Sequence, residues 1–184
     1  MTKRIFLGIG VNLKIDDLRA KLSAFNKHLI WVPEEDLHMP LNFLGRLLHQ
    51  DINAVGTTIK TITEKYRPFI LKPQYLETLY KKHEESQINL SLTGQVAELN
   101  KLQKELTKNL DEVAAQPKHY FPSITIAILK KTDHETTKQI LNKISGLDLD
   151  LNIPEFLVNN ITLFENIFHR NSVTIQKIRD FVLE

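Results

Sequence analysis

The sequence predicts an α+β domain of two lobes, with two antiparallel sheets around a central cleft, outer helices and a pseudo-twofold relation between the halves. Three observations carry that expectation. Strand-like runs alternate with stretches of helical periodicity along all 184 residues, with no linker or low-complexity tract. A long-range echo relates the halves: a strand at 4–11, a helix and a strand at His38 match a strand at 87–93, a helix and a strand at Ser123, at similar separation. Finally, two strands carry small polar or ionisable side chains at every second position. In Leu37–Gly45, alternation puts Leu37, Met39, Leu41 and Phe43 on one face and His38, Pro40 and Asn42 on the other. In Phe121–Ala127, it sends Ile124, Ile126 and the following Ile128 inward and leaves Ser123, Thr125 and Ala127 together. Two such polar pairs facing each other would frame a small anion pocket.

The elements follow in order. Residues 4–11 form an apolar run with β-branched and aromatic side chains, the mark of a buried strand. Ile15, Leu18, Leu22 and Phe25 recur at helical spacing, and Leu29–Val32 is a brief strand before the turn Pro33–Asp36. After Gly45, the stripe Ile52, Val55, Ile59 and Ile62 marks a helix that closes near Arg67-Pro68, since proline disfavours helix at the preceding residue. Residues 69–93 hold two or three strands around an exposed tip at 81–86. Val96, Leu99, Leu102, Leu106 and Leu110 give the longest helix, over 95–114, ended by Gln116-Pro117-Lys118. Ile140, Leu141 and Ile144 mark a shorter helix stopped by Gly146, and a strand follows at 160–164. The segment 173–183 mixes strand and helix periods and is left open.

Composition narrows the function classes. The length fits one domain, spanning 1–184, and 42% hydrophobic with 25% charged residues is ordinary globular content. With no cysteine, a disulfide framework and a thiolate metal site are both excluded. No secretion signal and no membrane-spanning run is apparent, so a cytoplasmic monomer is the expectation. A formal charge of +2 does not demand nucleic acid along a backbone. An RNA contact, if made, is expected at a chain end or a single nucleotide.

At these residues the chain resembles the two-histidine phosphoesterase superfamily, and within it the RNA 2′,3′-cyclic phosphodiesterase branch, also described as 2′-5′ RNA ligase-like. The likeness runs nearly the whole length. It includes the opening Arg4-Ile-Phe-Leu-Gly-Ile9, the stretch Trp31–His38 with Leu41-Asn-Phe-Leu-Gly45, the stretch Phe121–Ala127, and Ile161-Thr-Leu-Phe-Glu165 late in the chain. The order, spacing and context of these segments carry it. The family motif is His-x-Thr or His-x-Ser, present twice; one histidine would act as base on water, the other as acid on the leaving sugar oxygen, and the hydroxyls would hold the phosphate. No metal or cofactor is implied.

Carried over residue by residue, His38 and Thr125 match the motif. Pro40 stands where the first hydroxyl belongs and Ser123 where the second histidine belongs. Asn42 takes a position often occupied by lysine, and Ile128 one often occupied by arginine; alternation turns Ile128 away from Thr125. A serine cannot shuttle protons near pH 7 as imidazole does, and proline offers neither hydroxyl nor N–H. The resemblance therefore implies an RNA terminus or nucleotide with a cyclic or terminal phosphate as partner, and weak or lost hydrolysis. The alternative is a non-catalytic nucleotide- or RNA-end-binding module using the same cleft.

Other candidates are weighed on their residues. His119 shares parity with Ser123 but lies four residues earlier, about 13 Å along an extended strand. It reaches the cleft only through a bend near Pro122 and is otherwise a loop histidine. Ser123 as a nucleophile would need His38 as base, and no orienting carboxylate is identifiable. Tyr120 and Phe121 suit core packing or stacking on a base. His28, His49, His83, His134 and His169 fall at helix ends or polar turns and match no metal-ligand spacing.

Overall fold

The computed structural model describes residues 2–80, 85–112, 120–147, 151–170 and 173–184. Two antiparallel sheets form the frame. The first joins β1 (Thr2–Gly10), β3 (His38–Leu48), β8 (Asn160–Phe168) and β9 (Val173–Val182) in the order β3-β1-β8-β9. The second joins β2 (Leu29–Trp31), β4 (Phe69–Leu79), β5 (Gln87–Gly94), β6 (Ser123–Leu129) and β7 (Phe156–Val158) in the order β2-β6-β5-β4-β7. The expected duplication is visible in the pairing. β3 pairs with β1, and β6 pairs with β5, each across an intervening helix.

Helices cover the outer faces because each has one apolar stripe. On α2 (His49–Thr63) the stripe is Ile52, Val55, Ile59 and Ile62; on α3 (Val96–Asn109) it is Leu99, Leu102 and Leu106; on α4 (His134–Ser145) it is Ile140, Leu141 and Ile144. Removing each such side chain from water is worth about 1.5–3 kcal/mol. The short α1 (Asp16–Lys21) buries Leu18. Asp133 caps α4 by accepting from the Thr136 N–H at 2.8 Å. One contiguous core joins all of these stripes to the inner sheet faces.

Two departures from the periodicity have physical causes. The open segment 173–183 is strand β9. A bulge against β8 pairs Phe164 with Lys177 but Leu163 with Arg179, which leaves Ile178 over and spaces Ile175, Ile178 and Phe181 as a helix would. The tract 69–93 is two long strands, with a bulge in β4 opposite Ser91 whose hydroxyl donates to the Tyr75 carbonyl at 3.1 Å. The helix expected to be the longest, α3, ends at Asn109 with 14 residues, one fewer than α2; His119 and the proposed stop Gln116-Pro117-Lys118 lie outside the described residues. Among the described residues no helix is long and apolar enough to cross a membrane.

Candidate functional site

Pro40 shapes the first motif strand. It has no N–H to give the ladder, and proline in a strand is found at edges and bulges. β3 is an edge strand, and its register against β1 runs His38 to Gly10, Met39 to Ile9 and Pro40 to Gly8, then jumps to Asn42 with Leu7. Leu41 is the extra residue, and beyond it the two faces exchange. His38 and Pro40 face the cleft as alternation predicts, but so does Phe43, 56% exposed. Asn42 is 1% exposed and donates its Nδ2 to Thr107 Oγ1 on α3 at 2.7 Å. The expected place of Asn42 beside the substrate is therefore corrected: it belongs to the core side.

The second motif strand repeats the device. Ser123 lies opposite Ser91, Thr125 opposite Asn89, and the register then jumps to Ala127 with Ile88, which leaves Ile126 over. Ser123 and Thr125 face the cleft. Ala127, expected beside them, is fully buried in the core, and Ile128, expected inward, lines the cleft opposite Gln87.

His38 occupies a built socket. Gly10 and Gly8 are its neighbours on β1, and a Cβ at Gly8 would lie 2.9 Å from the Met39 carbonyl oxygen and 3.4 Å from the Phe164 ring. Glycine there lets Phe6 and Phe164 close around the imidazole, with ring centroids 5.1 and 5.7 Å away. Nδ1 sits 2.7 Å from the Asp36 carbonyl oxygen. A carbonyl only accepts, so Nδ1 carries the proton and the Nε2 lone pair is free. Burial lowers the His38 pKa below its ordinary 6.5, opposed in part by the Asp36 carbonyl and carboxylate. The imidazole is therefore neutral at pH 7.

These groups line one cleft of about 1420 Å³ between the sheets. The structure brings His38, Pro40, Ser123 and Thr125 together there and leaves Asn42 out. Its charged lining is of one sign. Asp36, Glu77 and Glu85 supply carboxylates, and no lysine or arginine is among the described lining residues. Asn89 and Tyr120 also line it, yet Asn89 Oδ1 and the Tyr120 hydroxyl are buried without a hydrogen-bond partner. Burial pushes the Tyr120 pKa up, so the phenol stays protonated. Phe121, 78% exposed, stands at the mouth. His169, expected to be merely solvated, lines the far end and sits 2.9 Å from Thr174 Oγ1. Its position after the β8 strand was legible only once β9 was recognised as its hairpin partner. Among the described residues no group of three or more His, Asp or Glu side chains could hold a metal ion.

No protein-family model matches the chain. A curated relative from Aquifex aeolicus (strain VF5), named RNA 2′,3′-cyclic phosphodiesterase, is 24% identical over 169 residues, covering 89% of this chain and 88% of the relative. E. coli LigT complexed with 3′-AMP superposes with a TM-score of 0.67 at 18% identity, over 100% of this chain and 99% of that one. A protein from Thermus thermophilus gives a TM-score of 0.66 at 16% identity, over 98% and 97% of the two chains. LigT has also been solved with phosphate, with a TM-score of 0.65 at 17% identity over 99% of this chain and 98% of that one. At these identities the structural likeness speaks for the fold.

Proposed function

We propose that this chain, which belongs to the two-histidine phosphoesterase superfamily, is an RNA 2′,3′-cyclic phosphodiesterase-like protein. Its cleft receives a nucleotide or RNA terminus with a cyclic or terminal phosphate, and its hydrolytic power is weak or lost. The observation that carries this reading is the meeting of His38 and Thr125, from opposite sheets, on one cleft. The Aquifex aeolicus relative's name and the 3′-AMP and phosphate complexes of LigT support the ligand class.

The residues suit half of a two-proton mechanism. His38 Nε2 is neutral and unoccupied at pH 7, so it takes a proton from water as the water oxygen attacks phosphorus. The bond from phosphorus to one ribose oxygen breaks, and Thr125 donates its hydroxyl to a non-bridging oxygen. The departing ribose oxygen must take its proton from solvent, because Ser123 offers no acid near neutrality. Loss of one positioned acid costs on the order of a hundred- to ten-thousand-fold in rate. Ile128 deepens the deficit, since its side chain faces the cleft where a cation would steady the phosphate.

The test is hydrolysis of a nucleoside 2′,3′-cyclic phosphate by the full chain. Turnover is expected to be low, to vanish in His38→Ala, and to rise about 100-fold when Ser123→His and Pro40→Thr are combined. Turnover that survives His38→Ala would remove the imidazole from the chemistry. Saturable binding with no turnover favours the second reading, a binding module, which the absence of a second motif histidine at Ser123 supports on its own.

A further inference from the structure

Beyond the cleft, the same face of the first sheet continues into a basic, aromatic strip. The register fixes what lies on it. Gly10 and His38 form one row, Gly8, Pro40 and Thr162 the next, then Phe6, Phe43 and Phe164, then Arg4, Arg46 and Asn166. From Gly10 to Arg4 is six residues, about 20 Å along the strand. Arg4 and Arg46 are direct cross-strand neighbours and both are exposed. The Arg4 guanidinium stands 4.4 Å from the centre of the Phe168 ring, and Phe168 is 54% exposed at the cleft edge. Arg170 follows at the hairpin end, exposed.

Two like charges placed directly opposite each other destabilise a sheet. Proteins normally relieve that with a carboxylate, and here none does so among the described residues. Glu165 lies on the other face, held by Lys3 at 2.6 Å. Asp180 is taken by Lys177 at 2.5 Å and by the Thr162 hydroxyl at 2.7 Å. The arginines are thus an unneutralised pair beside two exposed aromatic rings, Phe43 and Phe168, that also border the cleft. Alternating cations and flat apolar faces are what a single nucleic-acid strand requires: guanidinium for phosphate, ring for base.

We propose that Arg4 and Arg46, with Phe43 and Phe168, form a track that binds the single strand leading away from a terminal phosphate held in the cleft. The track rests on the proposed function for the identity of the group in the cleft, and it makes an oligonucleotide, rather than a mononucleotide, the fitting ligand. The opposite wall, with Glu77 and Glu85, repels the same strand and so sets its direction of exit.

The experiment measures binding of the full chain to RNA of one, two, four and six nucleotides, each ending in a 2′,3′-cyclic phosphate, across a salt series. Affinity is expected to rise at least tenfold between one and four nucleotides. The slope of log affinity against log salt should steepen by about 1.4, the value for two phosphates neutralised on a single strand. Arg4→Gln combined with Arg46→Gln should erase that gain and leave the mononucleotide affinity within twofold. Its thermal stability should hold or rise, which separates a binding defect from a folding one. Affinity independent of length, or a length gain unaltered by the arginine variants, overturns the track while leaving the cleft reading intact. Arginine-dependent binding of long RNA with no cyclic mononucleotide bound or hydrolysed overturns the cleft reading and keeps the track. Equal, arginine-dependent binding of a phosphorylated peptide of the same charge overturns the assignment to nucleic acid.

Discussion

The two walls of the cleft share a backbone device and differ in what it displays. Each motif strand bulges just after its polar pair, at Leu41 on β3 and at Ile126 on β6. Each bulge exchanges the faces, bringing an apolar side chain to the cleft and turning its neighbour toward the core. On β3 this exposes Phe43 and buries Asn42; on β6 it exposes Ile128 and buries Ala127. The first wall keeps an imidazole and runs out to arginines, whereas the second keeps hydroxyls and ends at carboxylates. A matched scaffold can thus carry unequal chemistry, because the bulge decides which positions matter and the residue types there decide what they do.

The comparison is most easily broken by placing a cation after each motif. Asn42→Lys puts an ammonium against Thr107 in the core with no carboxylate partner, and a loss of about 3–5 kcal/mol is expected in denaturant unfolding. Ile128→Arg reaches the cleft and should cost less than about 1 kcal/mol. Strict alternation predicts the reverse order, so finding Ile128→Arg the more damaging change would remove the bulges from the account.

A smaller effect is expected with pH. The folded His38 pKa is depressed, so the unfolded chain binds more protons between that value and 6.5. Stability from this group is therefore complete above pH 6.5 and lost as pH falls through the folded pKa. His38→Gln should flatten the acid side of the stability profile measured by thermal melting. An unchanged profile would mean that the imidazole is not buried as described. The smallest effect should come from Tyr120→Phe. The hydroxyl it removes is buried without a partner, so stability should stay level or rise by about 1 kcal/mol. A loss above that would reveal a partner for the phenol.

Much of this was legible in the sequence, and the part that was not has one cause. Strand and helix order followed from apolar periodicity, and the polar pairs His38/Pro40 and Ser123/Thr125 followed from alternation, because each pair lies on the near side of its bulge. Asn42, Phe43, Ala127 and Ile128 lie beyond, where a two-residue period gives the wrong face. Pro40 was a usable warning on β3, since it cannot donate to a ladder. Nothing comparable marks Ile126 on β6. The bulge at Ile178 likewise gave β9 its helical spacing, and with it hid the hairpin that carries His169 to the cleft.

The extra residue at Leu41 gives β3 one position on which no pairing with β1 depends. Excising it would let Pro40 with Gly8 and Asn42 with Leu7 follow in unbroken succession, keeping the phenyl group of Phe43 in the cleft, the Asn42 amide inside and Arg46 opposite Arg4. A single-codon deletion at that point would thereby take out the local kink and spare the ligand-facing side of the strand.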